Sequence, residues 1–275
     1  MKNKGSILIF TLWVLIILAI LSIVLSRRAS SDISLSRRES RSIKATYFAK
    51  AGIFKMLAEL TKDTDTYNSL NGDWNRNEEN PKELTLGSDT VLYGASDEGA
   101  RLNLNAVDLK IEQLVALGTD ESIARAIVKY KDRKDNKKFE FIEELFLVEG
   151  MPREAFEAIK ESATVYRESD SKININTADE KVLGAIIKDE SLVQDVLEYR
   201  RGLDGEDATD DDGIFRDTSD ITVNIQNLDP ALFIVKSDIF RIWAKAISPG
   251  GEEIFKRAEA VINRQSGKIY HWKED

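Results

Sequence analysis

A long uncharged apolar run near the start of the chain constrains the fold more than any other feature. The run extends from Ser6 to Ser26 and is 21 residues long. At 1.5 Å per residue, an α-helix of this length spans about 31 Å, close to the roughly 30 Å hydrocarbon core of a bilayer. We therefore predict that residues 6–26 form a transmembrane helix that holds the protein at a membrane.

The flanks of this run are unlike those of a secretory signal peptide. The run is longer than a usual signal-peptide core, and it ends in Ser26-Arg27-Arg28 without the small residues that mark signal cleavage. A small residue instead precedes the run, as Gly5 behind two lysines. Cleavage after Gly5 would remove residues 1–5 as a leader and keep the apolar helix as the new N-terminus.

Charge is divided unevenly along the chain. The first 50 residues hold nine Lys and Arg against two Asp and Glu, whereas the remainder holds 30 basic and 46 acidic residues. A basic stem beside the bilayer and an acidic body suit a membrane-attached protein, and the acidity argues against general nucleic-acid binding. Both flanks of the run are basic, so charge does not decide its orientation. We take the short flank 1–5 as cytoplasmic and place the body outside the cytoplasmic membrane.

The residue types present exclude several kinds of chemistry. Cysteine is absent, which excludes disulfides, cysteine-ligated zinc, iron–sulfur clusters and thiol catalysis. The chain has one histidine, His271, and we interpret it as a non-catalytic residue rather than as part of a Ser-His-Asp triad. The sequence contains no phosphate-binding loop, dinucleotide fingerprint or nucleophile elbow. The sequence therefore offers none of these familiar catalytic or cofactor-binding motifs.

The helical pattern continues beyond the apolar run. Apolar residues recur at three- and four-residue steps from Ile43 to Leu60, and no proline occurs before Pro81. We predict one helix from residue 6 to residue 62, about 85 Å long, of which 27–62 lies in the periplasm.

An internal repeat occupies the middle of the chain. Leu102-Asn-Leu-Asn105 is echoed by Ile173-Asn-Ile-Asn176, and the residues that follow each copy repeat at an offset of 69. The sequence of each copy predicts two short helices, and we predict a further pair of helices between the copies. A duplicated unit of this kind buries its apolar face against its copy. We predict an inserted helical domain over 105–201, in which the asparagines act as N-caps or turn residues.

Strand patterns flank the helical domain on both sides. The polar segment 63–86 predicts a loop, and short strands follow at 90–93 and 100–105, so 63–104 forms the first part of a small domain. After an acidic loop at 202–220, residues 221–275 predict C-terminal strands of the same domain, at 233–235, 239–247, 254–264 and 268–272. The predicted class is α+β: a long N-terminal transmembrane helix and a small antiparallel sheet, with a large inserted all-α domain.

The acidic loop is the one cluster of metal-type ligands in the sequence, with eight carboxylates in residues 202–220. Calcium takes six to eight oxygen ligands, and closely spaced carboxylates supply them. The spacing does not match an EF-hand, and the alternative is a solvated loop. An anchored hydrolase that holds a metal with two of these residues is a less favoured hypothesis. The candidate calcium ligands are Asp204, Glu206, Asp207, Asp210 and Asp212.

The repeated Asn-x-Asn units also raise a DNA-binding alternative. In helix-hairpin-helix modules a glycine-rich hairpin presents backbone N–H groups to a phosphate. Here the first hairpin has only Gly118, and the second hairpin, residues 186–189, has no glycine. The alternative function is therefore a membrane-anchored helix-hairpin-helix DNA-binding protein of the competence type.

Six motifs follow one another in order along nearly the whole chain: Lys4-Gly5 before the apolar helix, Ala45–Gly52, Asp97–Asn105, Phe141–Met151, Ile173–Ala178 and Ser237–Arg241. In this order they resemble the motifs of the type II secretion minor pseudopilin K family (general secretion pathway protein K). The resemblance implies a pilin-like fold whose helical insertion contains two helix-hairpin-helix-like repeats. It also implies that the protein is not an enzyme.

The resemblance implies that prepilin peptidase cleaves between Gly5 and Ser6 and that the new N-terminus at Ser6 is methylated. Most pilins have glutamate as the fifth mature residue, which pairs with the N-terminal ammonium of a neighbouring subunit. Phe10 stands at that position here, as is characteristic of K-type subunits. A buried ammonium in lipid needs a partner, so a subunit without this carboxylate fits the filament tip, where no subunit lies above it.

The implied function is a minor pseudopilin at the tip of the type II secretion pseudopilus, which initiates or caps the filament for protein export across the outer membrane. The implied partners are the minor pseudopilins I and J, other pseudopilins and prepilin peptidase, with no nucleic acid. The implied location is the cell inner membrane, crossed once, with the body in the periplasm. Related K subunits bind calcium, which favours the acidic loop as a calcium site.

Overall fold

The computed structural model describes residues 4–168, 170–247 and 254–275, and the chain divides into two compact units. The first unit ends at Tyr47, and the second extends from Phe48 to Asp275. The predicted leader, residues 1–5, lies partly outside the described residues, because these begin at residue 4.

One continuous helix, α1, extends from Lys4 to Lys62 and is 59 residues long. The segment contains no proline, so nothing interrupts its backbone hydrogen bonds. In the first unit the side chains from Leu8 to Arg41 are all exposed. Among the described residues, α1 is the one helix that is long and apolar enough to cross a membrane. The prediction of a single long N-terminal helix is confirmed.

The second unit contains a sheet and a block of short helices. Three 3₁₀ helices also occur, at Glu98–Ala100, Ile142–Leu147 and Pro230–Leu232. The further α-helices are α2 (Ile111–Ala116), α3 (Glu121–Arg133), α4 (Arg153–Lys160), α5 (Glu180–Ile187), α6 (Glu190–Arg201) and α7 (Thr218–Asn224). The strands are β1 (Lys82–Leu86), β2 (Asp89–Asp97), β3 (Leu102–Asn103), β4 (Ala163–Thr164), β5 (Ile173–Asn174), β6 (Phe233–Ile234), β7 (Ile239–Ile247), β8 (Ile254–Asn263) and β9 (Ile269–Glu274).

Five strands form one antiparallel sheet in the order β1-β2-β7-β8-β9. The strands predicted at 239–247, 254–264 and 268–272 are confirmed as β7, β8 and β9. The prediction of a loop throughout 63–86 is wrong at its end, where β1 forms an edge of the sheet. This strand alternates half-buried and exposed residues, and its many polar side chains suit an edge strand with one solvated face.

The C-terminal part of α1 packs on this sheet. Ala49, Ile53, Met56 and Leu60 recur at three- and four-residue steps and are buried, as expected for the core face of a helix. Gly52 lies within this face, where a Cβ atom would be only 2.7 Å from the Ala244 Cβ of β7. The absent side chain therefore allows the helix backbone to approach the sheet closely.

The helical block lies between two neighbouring strands of the sheet. β2 ends at Asp97 and pairs directly with β7, yet residues 98–238 separate them in sequence. The strand predicted at 100–105 is only two residues long, as β3, and pairs in parallel with β4. The segment 221–275 also contains the end of α7, which covers 218–224. The strand predicted at 233–235 is present as β6, but it pairs with β5 of the block rather than with the sheet.

The close contact at Gly52 gives a testable prediction about stability. In Gly52→Ala the new methyl group would meet Ala244 and Val91 at 2.7 and 2.8 Å, so we expect a loss of about 1–3 kcal/mol. The matched control is Gly184→Ala in α5, where a Cβ atom meets nothing within 4 Å, and we expect unchanged or higher stability. Chemical unfolding of the two variants in detergent measures both effects, and equal stabilities would contradict this packing.

Candidate functional sites

The predicted processing site lies at the start of α1. Gly5 and Ser6 belong to its first turns, and Phe10 follows one turn later with a side chain that is 69% exposed. No charged residue occurs from Ser6 to Ser26, so this segment has no carboxylate to pair with an N-terminal ammonium. The proposed roles of these three residues stay predictions, because the structure gives only their helical backbone and the exposure of Phe10.

A buried polar cluster, which the sequence did not reveal, lies where β2 leaves the sheet. The carboxylate of Asp97 accepts hydrogen bonds from Thr177 Oγ1 (2.7 Å), Ser237 Oγ (2.8 Å), Asn174 Nδ2 (2.8 Å) and the Gly99 backbone N–H (2.6 Å). Burial raises the pKa of Asp97, and these four hydrogen bonds oppose the rise only in part. The side chain joins the end of β2 to the second repeat and to the residues before β7.

Glu98, the next residue, is also fully buried but has charged partners. Its Oε1 accepts a hydrogen bond from Arg241 Nε at 2.7 Å and lies 3.7 Å from Arg101 Nε. Arg241 also donates to Glu259 at 2.6 Å. Burial would raise the pKa of Glu98, but the two guanidinium groups lower it below its ordinary value. The pKa values of these adjacent buried carboxyls thus shift in opposite directions, because Glu98 forms close ion pairs with two guanidinium groups whereas the hydrogen-bond donors to Asp97 are neutral.

The asparagines of the two repeats act in equivalent ways. Asn105 accepts from the Phe139 backbone N–H (2.8 Å) and donates to the Phe139 carbonyl (2.9 Å), and Asn176 makes the same pair of bonds with Phe215 (2.9 and 2.8 Å). Each side-chain amide therefore forms the pair of hydrogen bonds with a distant backbone segment that a neighbouring β-strand would form. The N-cap interpretation is wrong, since the N-cap of α2 is Lys110 and that of α5 is Asp179.

The first asparagine of each motif matches the prediction of a turn residue. The Asn103 side-chain oxygen accepts from the Asn105 backbone N–H at 3.0 Å, and Asn174 accepts from Asn176 N–H at 3.1 Å. These short-range bonds close a turn within each motif, as asparagine commonly does.

Each repeat also buries one basic side chain. Lys131 donates to the backbone carbonyls of Leu104 (3.0 Å) and Ala106 (2.6 Å). Arg200, at the equivalent position of the second repeat, donates to Ala178 O at 2.6 Å. Burial lowers the pKa of both groups. The 69-residue offset aligns these two bases, so the repeat itself was the signal that could have identified them.

The acidic loop is an expanded version of a connection that is short in the first repeat. In the first repeat, residues 134–138 join α3 to Phe139, whose backbone is hydrogen-bonded to Asn105. In the second repeat, residues 202–214 join α6 to Phe215, whose backbone is hydrogen-bonded to Asn176. The aromatic contacts are also repeated, since Tyr130 packs against Phe139 at 5.8 Å and Tyr199 against Phe215 at 4.6 Å. The loop therefore starts and ends on a framework that both repeats share.

The predicted calcium ligands within this loop contact protein groups rather than one another. Asp204 accepts from the Glu206 N–H (2.8 Å), Asp207 pairs with Arg200 and Arg201 at 3.3 Å each, and Asp212 accepts from the Ala208 N–H (2.8 Å). Glu206 and the fifth candidate, Asp210, have exposed side chains.

These five carboxylates do not fit a calcium site in this arrangement. The described part of the chain holds no group of three or more acidic or histidine side chains placed to bind a metal ion. Several loop carboxylates instead accept backbone N–H bonds or neutralise arginine. Calcium binding stays a prediction, and calorimetric titration of the full-length protein with Ca²⁺ would test it.

A cleft of the second unit lies beside the sheet and has a volume of about 630 Å³. His271 on β9 lines it and packs against Tyr166 with ring centroids 5.6 Å apart. Basic residues, among them Arg101 and Arg241, alternate with acidic ones, among them Glu259, around its wall. In the described residues no serine hydroxyl or carboxylate forms a hydrogen bond with His271, so this cleft does not assemble a Ser-His-Asp triad.

Comparison with known proteins supports the fold. No protein family and no curated protein matches the chain. A chain in the crystal structure of the GspK-GspI-GspJ complex from the enterotoxigenic Escherichia coli type 2 secretion system is similar, with a TM-score of 0.63 and 16% sequence identity. The match covers 87% of this chain and 96% of that chain. The predicted pilin-like α+β fold, with a long N-terminal helix, an antiparallel sheet and helical insertions, is confirmed.

The Asp97 cluster gives a prediction about folding. In Asp97→Ala four hydrogen-bond donors lose their shared acceptor in a buried site, and we expect a loss of about 3 kcal/mol or more. Asp195→Ala removes the same side chain from an exposed position of α6, and we expect a change of less than about 0.5 kcal/mol. Similar unfolding midpoints for the two variants would show that the cluster is not needed.

The Glu98 site gives a prediction about pH. Because the folded-state pKa of Glu98 lies below its ordinary value of 4.5, its charge stabilises the fold at neutral pH, and this contribution is lost as pH falls through the folded-state pKa. Glu98→Gln should therefore be less stable than wild type at neutral pH, with the gap closing below about pH 4.5. Melting temperatures across this range measure the gap, and a constant gap would contradict the assignment.

Proposed function

We propose that this chain is a minor pseudopilin of a type II secretion system and that it lies at the tip of the pseudopilus. The observation that carries the proposal is a charge-free membrane helix, with Phe10 in place of a carboxylate, on a pilin-like fold that contains a large helical insertion. The structural likeness to a chain of the GspK-GspI-GspJ complex supports a role in the pseudopilus.

The absent carboxylate favours a terminal position in the filament. Every residue from Ser6 to Ser26 is uncharged, so a neighbouring N-terminal ammonium in the bilayer would find no opposite charge on this helix. An unpaired charge in the hydrocarbon region is costly. A subunit of this kind therefore fits where no further subunit needs such a partner, which is the tip.

The size of the insertion favours the same position. Residues 98–238 lie between two adjacent strands of the sheet and add a helical block with its own apolar core. Such a block would occupy space that neighbouring subunits need within a shaft. At the tip it meets no subunit above it, and the chain then initiates or caps assembly.

The proposed partners and location follow from this role. The chain would assemble with companions like GspI and GspJ, which are partners in the similar complex, and with other pseudopilins. It would cross the inner membrane once, with its body in the periplasm, after prepilin peptidase removes residues 1–5 and Ser6 is methylated. We propose domains at 6–26, 27–62, 63–104, 105–201, 202–220 and 221–275 for this protein, which acts by assembly rather than by catalysis.

The structure offers little support for the DNA-binding alternative. The equivalent bases of the two repeats, Lys131 and Arg200, point inward and donate to backbone carbonyls. The second hairpin is closed by Lys188 in a left-handed conformation and lacks glycine. Beyond residue 50 the chain holds 46 acidic and 30 basic residues, which opposes phosphate binding.

Mass spectrometry of the membrane-extracted protein tests the proposal. In cells with active prepilin peptidase we expect the chain to begin at Ser6 and to carry one N-terminal methyl group. Gly5→Leu should block cleavage by placing a large side chain at the small-residue position, whereas Gly184→Leu in α5, where a Cβ atom meets nothing within 4 Å, should leave processing unchanged. Recovery of intact Met1 from wild type in such cells would overturn the proposal.

A further inference from the structure

The stem of α1, which we define as residues 27–47, separates its charges onto opposite sides. At about 100° per residue, five of its six basic residues fall within an arc of roughly 120° on the helix surface. The two acidic residues, Asp32 and Glu39, lie roughly 170° from the centre of that arc, on the same side as Arg28. We call the first arc the basic face, and it consists of Arg27, Arg37, Arg38, Arg41 and Lys44.

The basic face is available for contact. All five side chains are exposed, and the described structure contains no ion pair for Arg27, Arg37, Arg38 or Arg41. Ile33 borders the face and is 53% exposed. The helix therefore presents a row of unneutralised guanidinium groups with an apolar side chain at its margin.

Most of this face lies too far from the bilayer to bind lipid headgroups. Arg37 is 11 residues beyond Ser26 and Lys44 is 18, so they lie roughly 16 and 27 Å along the helix from the end of the apolar run. Charges at physiological ionic strength are screened over about 8 Å. Arg27 can reach a headgroup, whereas Arg37, Arg38 and Arg41 need a protein partner.

The spacing of the bases indicates the shape of that partner. Arg37, Arg41 and Lys44 follow one another at steps of four and three residues, which is the repeat along one side of a helix. The face extends over roughly 26 Å in a nearly straight line. A second helix packed at 8–10 Å, with carboxylates at the same three- and four-residue steps, would meet every base along this length.

A second copy of this chain does not supply enough carboxylates to pair with the basic face. A symmetric pair would place one basic face against the other, with like charges opposed. A pair that sets the basic face of one copy against the opposite side of the next would offer Asp32 and Glu39, two carboxylates for five bases. Two of the four arginines of the face would remain unpaired.

We propose that the basic face is a docking surface for an acidic helix of a different subunit, and that it selects this partner outside the bilayer. This inference rests on the proposed function, because it assumes that the helix of this chain packs among the helices of companion subunits. It specifies which side of the stem makes the contact and which charge the companion helix carries.

Peptide binding to the full-length protein in phosphatidylcholine nanodiscs tests this surface. The probe is a labelled helical peptide with glutamates along one face, and the control peptide has the same composition in scrambled order. We expect Arg37→Glu/Arg38→Glu/Arg41→Glu to weaken binding of the probe by at least about tenfold, since it removes three charge pairs. Raising the salt concentration should weaken binding to wild type.

Two matched variants distinguish the effect of the basic face on peptide binding from the effect of net charge. Lys129→Glu/Arg153→Glu/Lys181→Glu changes the net charge equally at exposed positions of the body and should bind within about twofold of wild type. Ser36→Arg/Arg37→Ser/Arg41→Ser/Ser42→Arg keeps the composition but moves two bases off the face, and it should bind several-fold more weakly. All positions exchanged in the stem are exposed or half-buried, so folding should persist.

The opposite results would overturn the proposal. Equal binding by the exchanged variant, or equal affinity for the probe and the scrambled peptide, would show that charge alone acts. If the triple variant changed only the association with vesicles that contain phosphatidylglycerol, the basic face would be a lipid-binding surface. If it changed only self-association, the basic face would be a contact with a second copy. Mass spectrometry of the same preparation reports the N-terminus separately, so failed peptide binding by a chain beginning at Ser6 rejects this inference alone.

Discussion

The carboxylate of Asp97 accepts hydrogen bonds from residues near both ends of the segment that is inserted between β2 and β7. The helical insertion depends on these hydrogen bonds. Ser237, which precedes β7, lies 140 residues farther along the chain, and Thr177 lies 80 residues farther. Pairing of β2 with β7 fixes the two ends of the insertion side by side. Because the cost of closing a loop rises only slowly with its length, a sheet with such a closed junction can carry an added block without losing its register.

The sequence predicted those features that depend on neighbouring residues. The charge-free run specified α1, alternating apolar residues specified β7, and the 69-residue offset identified the repeat. It did not reveal the side-chain partners of Asp97 or the hydrogen bonds of Asn105 with Phe139, because those bonds join residues 34 to 140 positions apart. The edge strand β1 was also missed, since its polar residues resemble those of a loop. Clustering of carboxylates at 202–220 likewise could not show that their contacts are with backbone N–H groups and arginine.

The chain uses its basic residues in two different ways. In the helical block and the sheet, Lys131, Arg200 and Arg241 are largely buried and satisfy carbonyl or carboxylate acceptors of the same chain. Burying a cation in this manner is favourable only when its hydrogen-bond donors are paired. These three side chains therefore contribute to the stability of the fold rather than to recognition. The arginines of the stem at positions 37, 38 and 41 have exposed side chains and no ion pair in the described structure. The stem therefore carries a row of positive charge along one side that remains available for recognition.

The absence of charge from Ser6 to Ser26 also limits what this span can recognise. Apolar helices associate in lipid through close packing and interhelical hydrogen bonds, because lipid tails are as apolar as leucine and supply no hydrophobic drive. This span offers mostly large apolar side chains, so its packing alone discriminates weakly among other apolar helices. Charge pairs, in contrast, reject a wrong partner through repulsion. In the proposed assembly, the apolar part of this helix therefore serves as the anchor, and the charged stem outside the bilayer distinguishes between neighbouring helices.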